Sequence, residues 1–210
     1  MRKLTKPEAL VIDDHPAIRV AVRHTVERLG LFSEVREADS GTDALTKFRI
    51  HPALLVVLDL DLPGMDGLDL IRRLRASNRE AKFLVYSGLD EEIYAVRAQK
   101  AGANGFISKL RPIELIETAA HSILNGIDCF PAAVFANGSR PDADAIHKLS
   151  NREMMILSHL IKGRSNKDIA IALCIDAKTV STYKRRILDK TGAKNLVELL
   201  RLCREQWDME

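Results

Sequence analysis

Six residues spread over the first half of the chain have types that belong together: Asp13, Asp14, Asp59, Asp61, Ser87 and Lys109. Each stands at the end of a short apolar run, in "ALVIDD", "LLVVLDLD", "KFLVYS" and "GFISK". Carboxylates brought into one crevice repel each other unless a cation neutralises them, and hard oxygen donors of this kind suit Mg2+ or Mn2+. A hydroxyl and an ammonium at the rim of such a crevice make chemical sense if a phosphoryl group is held there. The metal and Lys109 would neutralise its oxygens, and Ser87 would donate a hydrogen bond. A single strand-end serine or lysine is an ordinary surface residue; the combination carries the reading. Asp66, just past Pro63, is expected to cap the next helix.

A second group lies near the C-terminus, in "SNKDIAIALCIDAKTVSTYKRR". The pattern predicts a short helix, a tight turn and a second helix. Ile169, Ala170 and Leu173 share one face of the first, and Val180 and Ile187, seven apart, anchor the second inward. That leaves Lys178, Ser181, Thr182, Lys184, Arg185 and Arg186 to face outward. Such a helix fits the DNA major groove, where hydroxyls and arginine read base edges and lysine meets phosphate.

Two kinds of scaffold must position these groups. From Ala9 to Ile127, short Val, Ile, Leu and Phe runs alternate with segments whose apolar residues recur three and four apart. "SEVREA" predicts a more exposed strand. The five-fold βα alternation, with short connections and right-handed crossovers, predicts a parallel, doubly wound, flavodoxin-like α/β sheet covered by helices on both faces. Ligands of such folds sit beyond the carboxyl ends of the strands, where all the residues of the first group fall. Residues 1–127 form this domain. The proline- and turn-rich stretch 128–147 reads as a linker, and 148–210 as a small all-helical domain of four segments. Each segment opens on Ser, Asp or Asn, and Ser150 with Glu153 fits a capping box.

The 210-residue chain is 46% hydrophobic and 29% charged, values ordinary for a soluble protein. No apolar run reaches the length of a membrane span, and no signal-peptide pattern opens the chain, so a cytoplasmic location without membrane partners is expected. Cys129, Cys174 and Cys203 are odd in number and widely spaced, which suggests neither a disulfide framework nor a cysteine zinc site. The net charge of +3 is unevenly placed: residues 1–125 hold 18 Lys and Arg against 18 Asp and Glu, whereas residues 148–210 hold 13 against 8. A basic end on a neutral body points to an anionic partner, with nucleic acid foremost.

The run "IDDHP", "VVLDLDLPGMDG", "YSG" and "GFISK" resembles the receiver domain of bacterial two-component response regulators over Ala9–Gly126. The resemblance implies Asp59 as phosphoacceptor, and Asp13 and Asp14 as metal holders, with Asp59 and the backbone carbonyl of Asp61 completing the coordination of Mg2+ or Mn2+. It implies Ser87 as switch hydroxyl, Lys109 as phosphate partner and Phe106 as an aromatic that changes rotamer. Two departures stand out. Leu110 follows Lys109 where relatives commonly have a cis proline, with Pro112 two further on, and Asp61 puts a carboxylate where a neutral residue is frequent.

"LSNRE", "GRSNKDIA" and "KTVSTYKRRILDK" resemble the helix-turn-helix of NarL/FixJ (LuxR-type) regulators over Leu149–Glu205, with Glu153, Gly163, Ile169, Val180 and Lys190 on the family pattern. Tyr183 stands where histidine is frequent. The resemblance implies DNA contacts from Lys178, Thr179, Ser181, Thr182, Lys184 and Arg185. The apolar stripe Leu196, Leu199, Leu200 and Cys203 is expected either in the core or in part at a dimer interface. Together these imply a transcription regulator rather than an enzyme: a sensor histidine kinase as phosphodonor, double-stranded DNA as partner, and a homodimer when phosphorylated. Two other readings are open at this level. One is a DNA-binding regulator whose receiver is a phosphorylation-independent dimerisation module. The other is an aspartate-nucleophile phosphohydrolase, since D-x-D after an apolar strand also opens that chemistry.

Overall fold

The short Val, Ile, Leu and Phe runs pair as one five-stranded parallel sheet, in the order β2-β1-β3-β6-β7. Its strands are β1 (Glu8–Ile12), β2 (Glu34–Ala38), β3 (Leu55–Leu58), β6 (Lys82–Ser87) and β7 (Gly105–Ser108), in a computed structural model that describes residues 6–132, 134 and 149–207. Helices α1 (Pro16–Arg28), α2 (Gly41–Ile50), α3 (Gly67–Ser77), α4 (Glu91–Ala101) and α5 (Leu115–Leu124) fill the crossovers. β3 and β7 are buried along their whole length, as strands covered on both faces must be, whereas β2 keeps exposed and half-buried positions. On one face, Val11, Val57, Leu84 and Tyr86 pack against Val22 and Val26 of α1 and Ile116 and Ile123 of α5. The alternate positions Leu10, Ile12, Val56, Leu58, Phe83 and Val85 are equally buried on the other face. The doubly wound, flavodoxin-like architecture is thus the one expected.

A small hairpin was not foreseen. β4 (Asp61–Leu62) and β5 (Met65–Asp66) pair antiparallel, setting Asp61 opposite Asp66. Asp66 then caps α3 as expected, its Oδ1 accepting from the backbone N–H groups of Leu68 and Asp69. Gly67 closes the hairpin against the body: a Cβ there would lie 2.5 Å from the Leu60 Cα. Glycine is therefore what lets this loop fold over the end of β3.

The first residues of the expected linker run along the sheet edge. Cys129 bridges to Gly105 at the sheet edge; its N–H donates to the Asn104 carbonyl at 2.8 Å and its carbonyl accepts from Phe106 N–H at 2.9 Å. The edge strand β7 offers unpaired backbone groups, and Cys129 satisfies some of them. Val134 is also buried. Residues 133 and 135–147 of the expected linker, and Lys148 after it, lie outside the described residues.

The chain divides into two units, Met1–Gly138 and Ser139–Glu210. In the second, helices α6 (Asn151–Ile161), α7 (Asn166–Ala172), α8 (Ala177–Thr191) and α9 (Leu196–Trp207) enclose Leu157, Ile169, Leu173, Val180, Ile187 and Leu199. The capping box Ser150–Glu153 forms, and a second one, Ser165–Asp168, starts α7. No helix among the described residues is long and apolar enough to cross a membrane.

Candidate functional site

Sheet register brings the chemistry-bearing residues of the first unit together. Ile12 pairs with Leu58, so Asp13 and Asp59, each one residue beyond, emerge side by side. Ser87 pairs with Ser108, and Lys109 follows directly. The result is a crevice at the carboxyl edge of β1, β3, β6 and β7.

Asp59 is 3% exposed and both its oxygens are engaged. Oδ1 accepts from Ser87 Oγ at 2.6 Å and from the Asp61 backbone N–H at 3.1 Å. Oδ2 lies 2.6 Å from Lys109 Nζ, which also reaches Asp13 Oδ2 at 2.7 Å. Burial by itself would pull the Lys109 pKa down. The charge of Asp59 and the hydrogen bonds to Asp13 and Asp59 outweigh that and hold it above the usual lysine value. Lys109 therefore stays an ammonium and offsets part of the carboxylate charge.

Part of that charge is left over. Asp13, Asp14, His15 and Asp59 each present a ligand atom, all within 4.8 Å of one another. One ion with metal–oxygen bonds of about 2.0–2.6 Å spans such a group, so the residues present fit Mg2+ or Mn2+. His15 was missed at the level of sequence. Its Nδ1 lies 2.8 Å from Asp14 Oδ1, and its backbone N–H donates to Asp13 Oδ1 at 2.9 Å. The only signal for it was its position directly after the acidic pair. The Asp61 side chain stands outside this group of four.

Phe106 is buried on β7 beside this crevice, its N–H held by Cys129. Leu110 follows Lys109 at the position where the family resemblance leads one to expect a proline. All described peptide bonds are trans, and the Leu110 N–H donates to Ser108 Oγ at 3.2 Å, a bond that proline cannot make. The Leu110 side chain is 94% exposed.

The second unit holds its candidate recognition helix, α8, from behind. Val180 and Ile187 are fully buried, whereas Lys178, Ser181, Thr182, Arg185 and Arg186 are exposed, and Thr179 and Lys184 half-buried. Ser181 Oγ donates to the Ala177 carbonyl at 3.0 Å and accepts from Asn166 Nδ2 at 3.1 Å, which ties α8 to the start of α7. Thr182 Oγ1 donates to the Lys178 carbonyl at 3.0 Å. Both hydroxyls thus keep lone pairs outward. The Arg186 guanidinium lies over the Tyr183 ring, 5.6 Å from its centroid. Glu153, buried at the start of α6, also meets Lys190 Nζ at 2.7 Å, which locks the far end of α8. Burial works against the ionised Glu153, but hydrogen bonds from Lys190 and Ser150 prevail and hold its pKa below the usual value.

The apolar stripe on α9 divides. Leu199 and Cys203 are at most 1% exposed and belong to the core, so neither can face a second subunit. Leu196 and Leu200 are half-buried, and Val197, which the stripe had omitted, is 78% exposed.

Comparison with known proteins agrees with both halves. Residues 9–121 match the response regulator receiver domain, and residues 147–203 match the bacterial regulatory proteins of the luxR family. The chain is 39% identical over 202 residues to BvgA, a transcription regulator of virulence factors in Bordetella pertussis, covering 94% of this chain and 96% of that protein. It is 36% identical over 200 residues to the Fimbriae Z protein of Escherichia coli K12, covering 93% and 95%. Among solved structures, RcsB of Salmonella enterica serovar Typhimurium, bound to a promoter in the presence of a phosphomimetic, shares the fold. The TM-score is 0.64 at 20% identity, with 96% of this chain and 100% of that one covered.

Proposed function

The chain belongs to the response regulators of two-component systems that join a receiver domain to a LuxR-type DNA-binding domain, and we propose that Asp59 is the phosphoacceptor through which its DNA binding is controlled. The observation that carries this is the Asp59 carboxylate itself: buried, flanked by a hydroxyl and an ammonium, and within reach of two further carboxylates. The phosphodonor is a sensor histidine kinase. The P–N bond of a phosphohistidine breaks as a P–O bond forms on an Asp59 oxygen, and the leaving imidazole takes up a proton from water. Ser87 and Lys109, now bonded to Asp59, would transfer their hydrogen bonds to the new phosphoryl oxygens. Asp13, Asp14 and Asp59, with the Asp61 carbonyl, would hold Mg2+ or Mn2+, which supplies charge neutralisation for the phosphoryl oxygens.

Once Ser87 is drawn to the phosphoryl group, Phe106 on the neighbouring strand would change its packing, favouring one of two receiver states. In the favoured state the protein forms a homodimer and places α8 of each copy in the major groove. Ser181, Thr182 and Arg185 would read base edges, with Lys178, Thr179 and Lys184 nearer phosphates. The Asp61 carboxylate beside the phosphoacceptor would set the acyl-phosphate lifetime by orienting or repelling water. Equal decay rates for wild type and Asp61→Asn would remove that role. The phosphohydrolase reading leaves the DNA-binding domain without a role.

The test is label from a small-molecule phosphodonor with Mg2+, for wild type and Asp59→Asn, followed by sizing of both. Acid-stable, base-labile label on wild type alone, with a shift to dimer, is expected. Label on neither, together with equal DNA affinity of the two proteins, would favour a receiver that dimerises constitutively.

A further inference from the structure

The acidic crevice depends on the corner between β1 and α1, which carries Asp13, Asp14 and His15 in succession. Within the corner the Asp13 backbone N–H is held by the Ala38 carbonyl at 3.2 Å, and the Asp13 carboxylate receives the His15 N–H. Neither bond fixes the Asp13 carbonyl, and hence the plane of the peptide from which Asp14 projects. Arg19 does. Its Nη1 donates to the Asp13 carbonyl at 2.8 Å, while its Nε donates to Glu37 Oε2 on β2 at 2.9 Å. The other Glu37 oxygen is taken by Arg23 Nε at 2.7 Å, so Glu37 is itself clamped from two turns of α1. The Arg19 side chain is only 16% exposed.

From this geometry we infer that Arg19 is a positioning residue for the metal and phosphoryl pocket: it orients the Asp13–Asp14 peptide from behind and, with Glu37, determines how tightly the pocket takes a divalent cation. The planar fork of a guanidinium can serve two acceptors in fixed directions, which an ammonium on a flexible stem cannot. Its charge also stands behind the carboxylates, so it eases their repulsion without occupying the space between them, as Lys109 does. Supports of this kind lie outside the set of metal-binding atoms, yet removing one costs about 10- to 100-fold in metal affinity.

This inference rests on the receiver pocket proposed above, and its test separates the two. Mn2+ binding is titrated by the loss of the free-ion electron paramagnetic resonance signal. The Mg2+ concentration giving half-maximal labelling by a small phosphodonor is measured beside it, for wild type, Arg19→Ala, Arg19→Lys and Glu37→Gln. Expected are a dissociation constant and a half-saturating Mg2+ raised about 10-fold in Arg19→Ala, and less in Glu37→Gln. The rate at saturating Mg2+ would change little. Arg19→Lys, which keeps the charge and loses the fork, falls between wild type and Arg19→Ala. A purely structural bolt would lower the melting temperature and leave both metal readouts where they were; that result overturns the inference. Should Arg19→Ala not fold, Arg19→Lys and Glu37→Gln decide it by the same criterion. Wild type that takes neither Mn2+ nor label would overturn the pocket reading itself.

Discussion

The crevice around Asp59 and the outer face of α8 are both polar, and they are built in opposite ways. In the crevice the central groups already have partners: Asp59 engages Ser87, Lys109 and the Asp61 peptide, and Asp13 shares Lys109. On α8 the groups that would meet DNA are exposed or half-buried, and the order lies behind them, in buried Val180 and Ile187 and in the Glu153–Lys190 pair. A site that transfers a small charged group gains from fixed, desolvated partners that need no rearrangement at the moment of reaction. A surface that must conform to a duplex gains from a rigid back and mobile side chains, since the partner supplies the other half of each bond. The first arrangement localises chemistry; the second localises only a helix.

The largest way to break the comparison is from behind α8. Ile187→Ala should cost about 3 kcal/mol through the cavity it opens, read as a lowered urea midpoint of the second unit with weakened DNA binding. Asp59 labelling should be unchanged, because the crevice shares none of those contacts. In the crevice, Lys109→Met removes the cation between two buried carboxylates and should destabilise the first unit by about 2 kcal/mol. Mg2+ should restore more stability to this variant than to wild type, since the ion then supplies the missing charge; equal Mg2+ effects on the two would contradict that account.

Acid sharpens the contrast. Burial, and then the nearby charges of Arg164 and Lys162, lower the His159 pKa to about 4, and Arg164 Nη1 lies 2.9 Å from its Nδ1. An unfolded histidine takes up its proton near pH 6.5. Between those values the unfolded chain binds more protons, so the second unit should lose stability as pH falls from 6.5 towards 4. The loss, on the order of 3 kcal/mol, is measurable by denaturation at stepped pH. Glu153, whose pKa is lowered, adds to the loss at the acid end. The smallest effect is expected on the outer face of α8: Lys178→Ala should reduce the slope of log affinity against log salt by about 0.9, with sequence preference retained. A changed preference would mean that Lys178 reads bases.

Much of this was legible from residue order alone. Asp13, Asp59, Ser87 and Lys109 follow apolar runs, and a parallel sheet gathers the ends of its strands at one edge whatever lies between them. The capping box at Ser150 and the inward pair Val180 and Ile187 follow from local spacing in the same way. The hairpin over Asp59 was not legible, because two-residue strands carry no periodicity. Nor was the docking of Cys129 against Gly105, where a Cβ would lie 2.9 Å from the Cys129 carbonyl oxygen. That contact joins a turn-rich segment, which reads as linker, to backbone groups of an edge strand, and backbone groups leave no mark in side-chain order.

The sequence by itself determined the helices and the five strands of the main sheet, their order and the residue types delivered to each end, because periodicity, caps and strand termini are properties of neighbours along the chain. Tertiary structure decided which of those residues meet. It tied Arg19 to Glu37 behind Asp13, joined Glu153 to Lys190, and sent Leu199 and Cys203 inward while leaving Val197 outside. These outcomes turn on register, helix rotation and the direction of long side chains. They are settled by packing between segments distant in sequence, about which local spacing is silent.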